Sequence, residues 1–109
     1  MSTPIWSATT GLEGGPHVVL VHGSLDRSAG LLKLSRQLDA RFRVTRYDRR
    51  GYGRSIGAGG PFGIDEQVAD LVGVIGAADG AGEPCVVVAH SYGGDVALAL
   101  AQRHQELIA

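Results

Sequence analysis

Two apolar runs that do not alternate with polar residues narrow most sharply what this chain can become. Val18-Val19-Leu20-Val21 and Cys85-Val86-Val87-Val88-Ala89 present hydrophobic side chains on both sides of an extended backbone. Such strands need cover on both faces, the situation of interior strands in a parallel sheet flanked by helices. Helical stripes follow each strand. Leu31, Leu34 and Leu38 recur at i, i+3 and i+7, predicting a helix over Ser28 to Leu38. Ile64, Val68, Leu71, Val72 and Ile75 make a second stripe, with Asp65 and Glu66 suited to its positive first turn. Gly80 to Glu83 is expected to end that helix, and Val96 to Ala101 reads as a third, buried nearly all round. Arg43 to Tyr47 supplies a further strand, and Ile5 to Thr10 a short edge strand. This rhythm predicts an α/β domain with a mostly parallel sheet and helices on its faces.

Charge excludes more than it suggests. A formal net charge of -1 gives no preference for nucleic acid. Arginines cluster between Arg41 and Arg54, but Asp39 and Asp48 sit among them. The expectation is a solvated, locally paired surface rather than a phosphate-binding patch, which needs several cations on one face. Cys85 is the single cysteine, so an internal disulfide and a cysteine-based metal cluster are both ruled out. It opens an apolar strand and reads as a buried small side chain. No run of about 18 apolar residues is present, and Met1 to Trp6 lacks the pattern of a signal peptide. A cytoplasmic protein without a membrane span is the expectation.

Chemistry concentrates where the strands end. Ala89-His90-Ser91-Tyr92-Gly93 lies between an apolar strand and an apolar helix. A serine in such a tight turn is held proud of the sheet, beside the unpaired N–H groups of the next helix. Its hydroxyl could attack a carbonyl while nearby amides hold the developing oxyanion. The competing reading makes Ser91 a helix cap. His22-Gly23-Ser24 closes the other apolar strand, where open α/β sheets place their ligands. Gly23 permits a sharp turn that would bring the Ser24 amide toward Ser91, forming a two-donor oxyanion hole with the Tyr92 amide. The His22 side chain itself is expected to be satisfied by backbone hydrogen bonds. Asp48-Arg49-Arg50-Gly51-Tyr52-Gly53-Arg54-Ser55 makes a compact loop whose amides Asp48 can bind. It is a poor dinucleotide loop, since no helix follows it directly.

Taken in order, His22-Gly23, Asp48-x-x-Gly51-x-Gly53-x-Ser55 and His90-Ser91-x-Gly93 resemble the front half of the α/β-hydrolase superfamily, over essentially the whole chain. The resemblance implies that Ser91 is the nucleophile, that the amides of Ser24 and Tyr92 are oxyanion donors, and that Asp48 holds a structural loop. It implies a small-molecule ester or related acyl substrate, with neither an organic cofactor nor a metal. A serine nucleophile argues against dehalogenase and epoxide-hydrolase variants. Esterase, lactonase, C–C hydrolase and cofactor-free peroxidase-like reactions stay open.

The same resemblance places an acid and then a histidine beyond further strands. After Ser91 only Asp95, His104 and Glu106 are candidates. A straight helix would carry His104 roughly 18–20 Å from the elbow, the strand-to-helix turn at Ser91. His90 and His22 are not convincing substitutes. Residues 1–109 are therefore expected to be a partial α/β-hydrolase domain, inactive alone, whose last strand exposes an apolar edge to self-association or a partner chain. Two alternatives stand beside this. One is a non-catalytic binding or receptor protein on the same scaffold. The other, a flavodoxin-like or response-regulator-like domain, leaves the ordered motifs unexplained.

Overall fold

The computed structural model describes residues 4–79 and 83–109. Its sheet is built on the non-alternating runs. Strand β2, His17–Val21, is buried at all five positions, as its composition requires. It pairs in parallel with β3, Arg43–Tyr47, on one side and with β4, Val86–Ala89, on the other. Strand β1, Ser7–Gly11, adds an antiparallel edge against β3, giving the order β1-β3-β2-β4. The mixed sheet with flanking helices agrees with the expected α/β class. The first strand begins two residues later than expected, because the Trp6 N–H donates to the Ser55 hydroxyl, 2.9 Å away.

Helices cover the two faces unequally. The expected first helix divides into a 3-10 turn, Ser28–Leu31, and helix α1, Leu32–Leu38. Leu31, Leu34 and Leu38 cover Val18, Leu20 and Val44. On the opposite face lie α2, Ile64–Asp79, and α3, Tyr92–Arg103. Val68, Leu71, Val74 and Ile75 of α2 pack there with Val19, Val21, Val96 and Leu100. The turn expected at Gly80 to Glu83 lies, apart from Glu83, outside the described residues.

One expectation is corrected at the last strand and helix. α3 buries a narrow stripe, Gly93, Val96 and Leu100, while Leu98 is 67% exposed. β4 is likewise not covered on both faces. Val86 and Val88 sit beside Val18 and Leu20 in the register, yet remain 46% and 39% exposed. The cause is lateral: α1 covers β2 and β3 but does not extend over β4. Beyond α3 the chain returns to the sheet, and Ile108 bridges Cys85 in parallel. Cys85 N–H donates to Leu107 O and Ala109 N–H to Cys85 O, both at 2.8 Å.

Candidate active site

At Ser91 the backbone takes φ 56° and ψ −126°, a left-handed conformation that costs a non-glycine residue about 1–3 kcal/mol. The Ser91 side chain makes no capping hydrogen bond to α3, and the residue is exposed. The capping alternative therefore fails, since the hydroxyl is not used to hold the helix. The turn is closed instead by backbone bonds from Gly93 N–H to His90 O (3.0 Å) and from Gly94 N–H to Ser91 O (2.8 Å).

Close packing fixes this turn against the end of β2. A Cβ at Gly93 would lie 2.6 Å from Val21 O and 2.7 Å from His22 O, so α3 can start here only with glycine. A Cβ at Gly23 would lie 2.8 Å from Ser91 Cβ. The His22-Gly23-Ser24 turn thus presses directly on Ser91. Ser24 and Tyr92 both line a cavity of about 390 Å³, together with Arg49, Tyr52, Phe62 and Gln67. Ser24 and Tyr92 thus share the cavity wall, whereas Ser91 does not line it and lies against Gly23 at the turn.

His22 is held as the sequence suggests. The Arg49 N–H donates to Nε2 (2.9 Å), so Nε2 is the acceptor and Nδ1–H donates to Gly23 O (2.8 Å). This fixes the neutral tautomer. Burial lowers the pKa of His22 below 6.5, against the opposing pull of its hydrogen bond to Gly23. With its one lone pair engaged, His22 cannot take a proton from Ser91. Asp48 organises the next loop. Its carboxylate accepts from the backbone N–H of Ser28 (2.8 Å) and of Arg54 (2.9 Å). Burial pushes its pKa up, but these bonds outweigh it and hold the carboxyl below its usual 3.8.

Arg49 is the residue that sequence reading missed. It is 2% exposed, with its guanidinium 4.9 Å from the Tyr52 ring centroid and 5.0 Å from that of Tyr92. Nε donates to His22 O (3.0 Å) and Nη1 to Gln67 Oε1 (3.2 Å). One side chain thereby ties the β2 turn, the β3 loop, α2 and the elbow together. Only the two tyrosines flanking it in space could have signalled this, and they are far apart in sequence. Its neighbour Arg50 instead makes a two-pronged pair with Asp70 at 2.8 and 2.9 Å.

Among the described residues, no base is hydrogen-bonded to Ser91. Of the four histidines, His17 bonds Thr45, His22 is engaged as above, and His104 faces Glu106 at 3.4 Å beyond the far end of α3. His90 lies with its Nδ1 beside Gly23 and makes no hydrogen bond to Ser91. Among the described residues, no group of His, Cys, Asp and Glu could hold a metal ion, and no helix is long and apolar enough to cross a membrane.

The site is thus a strained serine between a parallel strand and a helix, packed on a glycine turn from the adjacent strand. The family model of the alpha/beta hydrolase fold matches residues 16–109. The chain belongs to the α/β-hydrolase family. This α/β-hydrolase chain is 38% identical over 96 residues to RutD of Caulobacter segnis, covering 84% of the chain and 35% of that protein. It is 35% identical over 104 residues to the AB hydrolase superfamily protein YfhM of Bacillus subtilis, covering 93% and 36%. The crystal structure of the enol-lactonase from Burkholderia xenovorans superposes with a TM-score of 0.84 at 27% identity, covering 95% of the chain and 40% of that structure. The α/β-hydrolase chain therefore spans about a third of the length of the curated relatives it matches.

Proposed function

We propose that this chain carries the nucleophile and oxyanion-binding part of a serine hydrolase acting on an ester or related acyl substrate. The observation that carries the reading is the Ser91 backbone, strained at φ 56° around a hydroxyl that caps nothing. Strain persists where surrounding structure enforces it, and Gly23 and Gly93 enforce it here. Similarity to an enol-lactonase, whose substrate class is a cyclic ester, supports the same chemistry.

In this mechanism the Ser91 oxygen bonds to the acyl carbon as its proton passes to a base. The carbonyl oxygen becomes an oxyanion, bound by the N–H groups of Ser24 and Tyr92. Collapse breaks the ester C–O bond, and the departing alkoxide takes the proton. Water, deprotonated by the same base, then attacks the acyl-enzyme and releases the acid while Ser91 regains its proton. The described residues place no base or orienting acid against Ser91, so these residues alone are expected to give no triad-dependent turnover.

The competing reading is a binding or receptor protein on this scaffold. It is favoured by the absence of a histidine hydrogen-bonded to Ser91. Aryl-ester hydrolysis by the protein with its downstream residues separates the two. Ser91→Ala is expected to lower kcat at least about a thousandfold. Equal turnover by the parent and the variant defeats the serine mechanism.

A further inference from the structure

We infer that a second cleft, away from Ser91, binds the dianionic phosphate group of a small soluble molecule. The cleft has a volume of about 500 Å³ and is lined by Trp6, Arg27, Ser28, Arg46, Asp48 and Arg54, among others. It shares no lining residue with the cavity at the elbow. It opens beside β3, separated from β4 by β2, and does not rest on the serine mechanism.

Two guanidiniums, of Arg46 and Arg54, converge there and Arg27 also lines the cleft, with no ion pair to a carboxylate for any of the three among the described residues. Asp48, expected to pair with this arginine cluster, points its two oxygens at the backbone N–H groups of Ser28 and Arg54 instead. Arg46 and Arg54 both stack on the single indole, with their guanidinium carbons 5.1 Å and 4.6 Å from the Trp6 centroid. Arg46 Nη1 donates to the Ser28 hydroxyl at 2.9 Å, while its Nε is buried without a partner. Two cations held on one ring repel each other. A π-face offsets this only in part, worth about 0.5–2 kcal/mol per contact, and leaves the N–H donors unanswered. Arg27, an exposed residue, also lines the cleft. Arginines lining a concave space whose one carboxylate, Asp48, is already engaged by backbone N–H groups suit a tetrahedral dianion, which arginine binds through paired N–H bonds. A phosphate site was not expected from the sequence because it needs several cations on one face; Arg27, Arg46 and Arg54 all line this cleft.

Trp6 is the only tryptophan, so its fluorescence reports on the cleft. The protein is titrated with inorganic phosphate and with glycerol 3-phosphate, with calorimetry as a second readout. Saturable binding by both is expected. Because arginine keeps its charge, affinity for glycerol 3-phosphate should rise as pH increases through the ester's second ionisation near about 6. Arg27 and Arg54 are exposed, so the double variant Arg27→Met, Arg54→Met should fold and bind at least tenfold more weakly. Arg41→Met, outside the cleft, should bind as the parent does. Unchanged binding in the double variant overturns the inference, as does no saturable response to either phosphate. Response only to phosphatidylcholine vesicles carrying phosphatidic acid also overturns it, since the site would then belong to a membrane surface.

Discussion

At Ser91 a local conformational cost meets the proposed function. The residue sits at φ 56° and ψ −126°, where glycine is at ease and every other side chain is strained. Replacing it separates strain from chemistry. Ser91→Gly is expected to be more stable than Ser91→Ala by about 1 kcal/mol in urea denaturation, because only glycine relieves the backbone. Equal stabilities would mean that the turn is unstrained. This residue was legible in the sequence because strand, turn and helix are contiguous there, as they are at His22-Gly23. Arg49 was not legible, since a charged side chain is read as solvated until tertiary structure shows it buried between Tyr52 and Tyr92.

Among the elements, the two turns that follow β2 and β3 are fixed by buried polar groups, and this gives stability a pH dependence. Burial depresses His22 below its ordinary 6.5, so on acidification the unfolded chain takes up the proton before the folded one does. The contribution is complete above about pH 6.5 and declines as pH falls below it. Asp48 adds a second loss at lower pH. Its depressed carboxyl contributes fully above 3.8, and that contribution disappears as the folded group protonates. Urea midpoints measured from pH 7.5 to 3 should therefore fall in two stages. A midpoint flat from pH 7.5 to 5 would show that His22 is not held neutral. The strand cores were legible from apolar runs, and α2 from its stripe. The exposure of Leu98 was not, because the outer face of α3 depends on which elements lie beside β4, and periodicity does not encode that.

For the molecule as a whole, coverage is lopsided. Val86, Val88 and Leu98 are exposed apolar residues on the last strand and helix, and β4 pairs with β2 on one side. Unpaired strand edges with apolar side chains promote association. The 109-residue chain is expected to self-associate in light scattering at micromolar concentration, and Val88→Lys to shift it toward monomer. A monomeric parent would show that this surface is tolerated.

The central claim is that Ser91 attacks while two amides receive the charge. Its most direct test is the structure of the protein, with its downstream residues, after reaction with a serine-directed phosphonate. A covalent bond from Ser91 Oγ to phosphorus is expected, with one phosphoryl oxygen within about 3.1 Å of both the Ser24 and Tyr92 nitrogens. An unlabelled Ser91, or an adduct whose oxygen faces away from both amides, would contradict it.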